Sequence, residues 1–279
     1  MPLVGLRELM AGAAAAGEGL GAFNVICLEH AEAIAAGAER AGRPAVLQLS
    51  QNAVRYHGGR LGPIAAAARE VARASTVDLA LHLDHAQDRL LAGSAAGHGF
   101  GSLMFDASRL DADANVAATR EVVEQAHRDG LFVEAELGAI GGKDGAHTPG
   151  VRTDPDEAAW FVDATGVDAL AVAVGSSHAM TERTARVDVD LVARLAKAVP
   201  VPLVLHGSSG VDDASLVAAV RAGIVKVNIG TAVNVALTRA VRERLDADPA
   251  LVDPRRYLGA GRDAMAAVVA DALALLSLG

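Results

Sequence analysis

The sequence predicts an α/β fold, a (β/α)8 TIM barrel with extra N- and C-terminal helices. Short apolar runs alternate with helix-periodic segments eight times, with no linker between units, as in a parallel sheet wound with helices. Polar and ionisable residues stand at the ends of those runs, where the strand C-termini of a barrel converge on one face. The rival, a doubly wound open sheet, is weaker because no Gly-x-Gly-x-x-Gly follows the first strand. A single domain over 1–279 is expected, because 279 residues at 52% hydrophobic content suffice for one large core.

Residues 1–16 are alanine-rich but carry Arg7 and Glu8 and no lysine, so they read as an amphipathic helix and not as a signal peptide. Residues 20–25 make a short strand. Residues 29–41 show helical periodicity and stop at Gly42. The second strand, 44–49, runs into Ser50, Gln51 and Asn52, read as a polar loop with Arg55 and His57. A helix over 62–74 leads to the third strand, 77–83, and to the motif Leu81-His82-Leu83-Asp84-His85-Ala86. Then come a helix over 88–97, a strand over 101–105 ending at Asp106, a helix over 111–129 closed by Gly130, and a strand over 131–136 with Glu134 and Glu136.

Asp154 followed by Pro155 is a helix N-cap signature. The sixth strand, 167–174, ends at Gly175-Ser-Ser-His178. A helix over 189–199, a strand over 201–205 ending in His206-Gly-Ser-Ser-Gly210, and a helix over 212–222 follow. The strand over 224–227 ends at Asn228-Ile-Gly230-Thr231, and two helices around Asp253-Pro-Arg-Arg-Tyr-Leu258 close the chain.

Composition narrows the function. The formal charge is −9, which argues against nucleic acid as the main partner because no basic surface is evident. Apolar runs stay well under the ~20 residues of a membrane-spanning helix. The single cysteine, Cys27, excludes an intrachain disulfide and fits a reducing cytosol. It reads as a small buried hydrophobe in preference to a reactive thiol.

In a barrel, Asn24, Ser50, Asp84, His85, Asp106, Glu136, His178, His206 and Asn228 should meet in space. Three histidines at three strand ends, His85, His178 and His206, suit a catalytic Zn²⁺ with an open position for substrate. Singly, each reads equally well as a strand-end residue bonded to backbone; three at equivalent positions favour the metal. His82 reads as a hydrogen-bonded core residue. Asp84, beside a ligand, is either a general acid/base or a carboxylate that orients a histidine, and position alone does not separate the two. The loops Gly207-Ser208-Ser209-Gly210 and Asn228-Ile229-Gly230-Thr231 follow strands seven and eight and enter helices, which favours phosphate binding there. The glycine-rich segment 138–150 reads equally as a lid or as a surface loop.

With these residues placed, the sequence resembles the class II (metal-dependent) fructose/tagatose-bisphosphate aldolase family, nearly end to end. The motifs that carry the resemblance are Ala22-Phe-Asn-Val25, Leu83-Asp-His85, Phe105-Asp-Ala-Ser108, Val133-Glu-Ala-Glu-Leu-Gly138 with Gly141-Gly142, His206-Gly-Ser-Ser-Gly210, Asn228-Ile-Gly-Thr231 and Asp253-Pro-Arg-Arg-Tyr-Leu258. The resemblance implies zinc at His85, His178 and His206, with Asp106 and Glu136 binding a second divalent or monovalent cation or orienting the first. It implies that Asp84 removes the C4 hydroxyl proton in cleavage and returns a proton in condensation. Asn228 would stabilise the enediolate of dihydroxyacetone phosphate, and Gly207, Ser209 and Thr231 would hold its phosphate, with Asn24, Ser208 and Gly230 lining the same site. Ser50 and Arg255 match positions at the far end of the substrate. In the family that arginine comes from a neighbouring subunit, so a homodimer or homotetramer follows.

Three departures bear on the substrate. The family's His-Gly with a following phosphate-binding lysine is here His178-Ala-Met-Thr-Glu-Arg183, with Arg183 and Arg186 as the nearby cations. The family's lid glutamate is here Asp144, expected to take its catalytic part, after Lys143. The segment 145–150 carries His147 and lacks an acidic pattern. Lys226 shares the strand parity of Asn228 and can point inward, so it is not excluded on geometry from a Schiff-base role. The expected activity is a cytoplasmic, metal-dependent cleavage of a ketose bisphosphate to dihydroxyacetone phosphate and an aldehyde such as glyceraldehyde 3-phosphate. The alternatives are an aldolase for another phosphorylated or less charged ketose, and a barrel that binds sugar phosphate without turnover.

Overall fold

The eight apolar runs become eight parallel strands. They are β1 (Leu20–Asn24), β2 (Ala45–Ser50), β3 (Leu79–Ala86), β4 (Ser102–Phe105), β5 (Phe132–Leu137), β6 (Ala169–Val172), β7 (Leu203–Leu205) and β8 (Ile224–Ile229). They pair in sequence order, and β8 closes on β1 with Ala22 opposite Asn228. The structure, a computed structural model, describes residues 3–137, 152–177 and 182–278. Among the described residues the helices are α1 (Leu6–Ala16), α2 (Leu28–Ala41), α3 (Gln51–Tyr56), α4 (Leu61–Ala74), α5 (Arg89–Ser94), α6 (Ala112–Arg128), α7 (Pro155–Thr165), α8 (Val189–Ala198), α9 (Asp213–Ala222), α10 (Thr231–Ala247) and α11 (Pro254–Leu276).

Six of these helices, α5, α6, α7, α8, α9 and α11, start behind an aspartate. The carboxylates of Asp88, Asp111, Asp154, Asp188, Asp212 and Asp253 each accept a first-turn backbone N–H. Each such cap stabilises its helix by about 1 kcal/mol. The N-cap of α10 is Gly230, which supplies no side-chain acceptor. That helix opens at the top of the barrel with its N–H dipole uncapped by its own side chain.

Period-2 alternation along the strands divides the core in two. Residues facing outward, such as Phe23, Leu47, Leu81, Val133 and Leu205, pack beneath the helices. Inward residues at the N-terminal end, including Leu20, Val46, Ala80, Met104 and Phe132, form a second cluster with Leu6, Leu9 and Met10 of α1. Helix α1 therefore plugs the bottom of the barrel. Further up, the inward positions turn polar: β3 continues from Ala80 to His82 and Asp84, and β5 from Phe132 to Glu134 and Glu136.

Several boundaries differ from the sequence reading. The expected polar loop after β2 is the helix α3, because Ser50 Oγ accepts from Ala53 N at 3.2 Å and caps it. The helix expected over 88–97 stops at Ser94, and a 3₁₀ turn over Ala96–His98 leads to Gly99 at φ 83°. Strand β3 runs to Ala86, beyond the expected end at Leu83, and β8 runs to Ile229. The 138–150 segment, with Asp144 and His147, and the 178–181 segment, with His178, lie outside the described residues.

Helices α2 and α11 pack closely through Gly37, where an added Cβ would lie 2.6 Å from Val269 Cβ and 2.7 Å from Ala266 O. Gly37→Ala is expected to destabilise by ~1–3 kcal/mol through overpacking. Gly12→Ala on α1, whose added methyl meets nothing within 4 Å, should stabilise by ~0.5–1 kcal/mol. Urea-unfolding midpoints check both, and equal midpoints for the two variants would contradict the packing argument.

Candidate active site

At the C-terminal mouth, Asp84, His85, Asp106, Glu136, His206 and Asn228 are all buried. His85 Nε2 and His206 Nδ1 face each other at 2.9 Å, with the rings edge to face. The outer nitrogen of each ring meets a carboxylate: His85 Nδ1 lies 3.1 Å from Asp106 Oδ2, and His206 Nε2 lies 2.8 Å from Glu134 Oε1. An ionised carboxylate only accepts, so with a proton on each outer nitrogen each inner nitrogen presents a lone pair. Two lone pairs so placed call for a cation between them. A proton does not serve at neutral pH, because burial pushes His206 down to about 4 against the raising effect of its Glu134 hydrogen bond.

A carboxylate oxygen of Asp84 belongs to the same cluster, with all three ligand atoms within 4.8 Å of one another. Two imidazoles backed by carboxylates, together with a carboxylate, are a donor set that suits a divalent metal ion. His85, Asp106 and Glu136 form a second group of the same kind. The third expected ligand, His178, lies outside the described residues. The chain just before it does reach the site: at Gly207, φ 67°, an added Cβ would lie 2.7 Å from Ser177 O. Gly207 is thus required by close backbone packing.

Asp84 and His85 are adjacent in the chain, so a regular strand would send them to opposite faces. The β3–β4 register shifts between Leu83 and Ala86, and His85 adopts φ 47°, the left-handed region that is uncommon for residues other than glycine. The bulge turns His85 back so that both side chains reach the barrel mouth. Local strain of this kind, of order 1–3 kcal/mol, is held in place by the surrounding structure and collects at functional sites.

The layer beneath is polar and fully buried. Lys226 Nζ donates to Glu134 Oε2 at 2.7 Å, and His82 Nδ1 lies 2.9 Å from Ser102 Oγ. Lys226 does point inward, as its parity allowed, but its ammonium lies below the cleft and is not part of the lining. Burial disfavours ionised Glu134, yet the Lys226 ammonium and the hydrogen bond to His206 outweigh it and hold its carboxyl well below the usual range. Burial, reinforced by Lys226, pushes His82 down to about 3.

Above this layer opens a cleft of ≈ 230 Å³. Of the residues singled out in sequence, Asn24, Ser50, Asp84, His85, Gly207, Ser209, Asn228, Gly230 and Thr231 line it. Asn24 Nδ2 donates to Asp84 Oδ2 at 3.2 Å, and Gln48 Nε2 donates to Asn24 Oδ1 at 3.3 Å, so a chain of two amides orients the carboxylate. Ser209 Oγ accepts from Ala232 N at 3.3 Å in the first turn of α10. Ser208 does not line the cleft; its buried hydroxyl donates to Asn228 O at 2.6 Å. Arg255 is not brought there by its own chain, since it is exposed and its Nη2 pairs with Asp253 Oδ2 at 2.8 Å. Arg183 pairs with Asp213 and donates to Val211 O at 3.0 Å; it does not line this cleft but a neighbouring pocket that shares Ser209 and Thr231 with it. Arg55, on α3, is the one cation among the described residues that line it.

A family model described as fructose-bisphosphate aldolase class-II matches residues 4–278. The chain belongs to that family. A fructose-bisphosphate aldolase of Thermus caldophilus is 38% identical, with 96% of each chain covered. One of Geobacillus stearothermophilus is also 38% identical, over 96% of this chain and 95% of that one. Among solved structures, the YdjI aldolase from Escherichia coli K12 superposes with a TM-score of 0.84 at 32% identity, over 98% of this chain and 97% of that one. This chain is therefore a class II aldolase, an enzyme that breaks and forms carbon–carbon bonds.

Sequence reasoning about this aldolase missed Glu134 as a partner of His206, Gln48 as a partner of Asn24, and Asn234 and Gln87 as cleft residues. Strand parity carried the signal for Glu134, which shares a face with Glu136. Gln48 sits in the middle of an apolar run, where a fully buried amide needs partners. No comparable signal marked Asn234 or Gln87. Among the described residues, no helix is long and apolar enough to cross a membrane.

The buried histidines set a pH dependence. Folded His82 and His206 take protons only near pH 3 and 4, whereas the ordinary histidine value is 6.5. The unfolded chain therefore binds more protons between those limits. In metal-free protein the stability from this source is complete above pH 6.5 and falls as pH drops, by up to ~1.4 kcal/mol per pH unit per histidine. Glu134, whose folded value is depressed, adds loss of the same sign below its ordinary 4.5. Urea unfolding between pH 6.5 and 4.5 should show a slope shallower by up to ~1.4 kcal/mol per pH unit in His82→Gln, and an unchanged slope would refute the assignment to His82.

Proposed function

We propose that this aldolase is zinc dependent and reversibly cleaves a ketose 1,6-bisphosphate of the fructose or tagatose type. The products would be dihydroxyacetone phosphate and an aldehyde such as glyceraldehyde 3-phosphate. The observation that carries the reading is the 2.9 Å approach of His85 Nε2 to His206 Nδ1, each ring backed by a carboxylate. His85 and His206 would hold the cation with His178, and Asp106 and Glu136 would orient it or hold a second one. When bound, the ion supplies a Lewis acid for the carbonyl beside the breaking bond.

The chain's own groups do the rest. Asp84, aimed by the Asn24 amide, takes the substrate hydroxyl proton in cleavage and returns it in condensation. Asn228, in the cleft wall, donates to the oxygen on which charge develops. The backbone of Gly207, Gly230 and Thr231 and the Ser209 hydroxyl form the mouth of α10, where a helix N-terminus with a glycine at its N-cap suits a phosphate. Ser50, the N-cap of α3, and Arg55, on α3, line the cleft wall and suit the other end of the substrate, with Arg255 supplied by a second copy in a homodimer or homotetramer. Asp144, in the 138–150 segment, would take the catalytic part of the family's glutamate. The lone Cys27 supports a reducing, cytoplasmic setting.

The metal-loaded protein should release triose phosphate from fructose 1,6- or tagatose 1,6-bisphosphate, and should lose that activity on thorough chelation or in His206→Ala. Asp84→Asn should lower kcat by ~10²–10⁴-fold with little change in KM. Turnover that survives chelation sinks the metal assignment, and wild-type kcat in Asp84→Asn sinks the proton role.

A further inference from the structure

Directly below the cleft lies an ion pair that the proposed chemistry does not use. Glu134 and Lys226 are both fully buried, 2.7 Å apart. Taking two charges out of water is offset only by good pairing, and an apolar pair of similar volume is often as stable. Fold stability alone is therefore a poor account of this pair, and its contacts point elsewhere. The second oxygen of Glu134 lies 2.8 Å from His206 Nε2.

That ring nitrogen has two neighbours with opposite demands. The carboxylate of Glu134 can only accept, while the Asn228 amide nitrogen, 3.1 Å away, can only donate. If Nε2 carried the lone pair, Nδ1 would carry the proton and point it at His85 Nε2, and His206 could not ligate a cation there. If Nε2 carries the proton, Glu134 is satisfied and the Nδ1 lone pair faces His85. The Lys226 ammonium occupies one oxygen of Glu134 and leaves the other as the acceptor for His206. Asn228 can adapt where Glu134 cannot. A half-turn of its amide offers Nε2–H the oxygen Oδ1, which has no hydrogen-bond partner among the described residues, and turns its two N–H donors away.

We propose that the Glu134–Lys226 pair is a tautomer lock. It fixes His206 as the Nε2–H form, and so sets both the ligating face of that ring and the donor face of Asn228. Glu134 and Lys226 are positioning residues that act through His206 and Asn228. The consequence for ligation rests on the metal reading above, whereas the tautomer exists in the metal-free protein and is testable there.

Long-range ¹H–¹⁵N correlation spectra of metal-free protein labelled with ¹⁵N-histidine decide it, with His206 identified by its loss in His206→Gln. The wild type should show the Nε2–H pattern for His206. The double variant Glu134→Gln/Lys226→Met, which removes both charges together, should show a mixed or Nδ1–H pattern and bind Co²⁺ at least ~10-fold more weakly. A wild-type Nδ1–H pattern overturns the lock. So does a double variant, folded by circular dichroism, that keeps the Nε2–H pattern and binds Co²⁺ within twofold of wild type. If the double variant fails to fold, the wild-type spectrum decides alone, and because it is read without metal its outcome does not depend on whether cobalt binds.

Discussion

The site depends on two ring nitrogens, His85 Nε2 and His206 Nδ1, held 2.9 Å apart. Left to themselves the rings would turn apart or share a proton. They are kept from turning because each is tied at its far side, one to Asp106 and the other to Glu134. Those carboxylates are held in turn. Ser108 Oγ donates to Asp106 Oδ1 at 2.7 Å, and Lys226 holds Glu134. The rigidity that presents a cation site is thus carried by side chains on five different strands or strand ends. A closed barrel is what keeps those strands in one register.

The barrel, its eight strands and their polar ends were legible in the sequence because alternation, glycine stops and aspartate caps are local signals. Convergence of Asn24, Ser50, Asp84, His85, Asp106, Glu136, His206 and Asn228 followed from topology, since strand C-termini of a barrel share one mouth. What escaped was non-local or against the local rule. Period-2 reading cannot place Asp84 and His85 on the same side, and only the bulge with φ 47° at His85 does so. Ser50 looked like a loop residue because a cap and a turn use the same side chain. Ser208 looked like an anion donor because nothing local shows that its hydroxyl is taken by Asn228 O. Arg255 lies at the start of α11, outside the cleft of its own chain, so its expected role requires a second copy.

The interior of the barrel is stratified, and each level has a different physical task. At the bottom, small alanines leave room for α1 to insert Leu6 and Met10, so that level contributes apolar burial. In the middle, His82, Ser102, Glu134 and Lys226 give up burial energy for fixed hydrogen-bond direction. At the top, Asp84, His85 and Asn228 line the cleft, with His206 buried against His85 and Asn228.

The order of these levels has a physical reason. A charged network is tolerable only where every group can be matched, and matching needs rigid walls on all sides, which the middle of a closed sheet provides and its rim does not. The reacting groups must be at the rim, where substrate arrives, and there the backbone is freer. Placing the ion-paired layer immediately beneath lets the rigid part of the barrel dictate the orientation of the groups at the cleft. His206 is the residue through which this passes: it follows β7, bonds downward to Glu134 and presents its other nitrogen to His85 at the mouth. A substitution in the apolar bottom should therefore change stability and leave the site's geometry alone, whereas one in the middle layer cannot change either independently of the other.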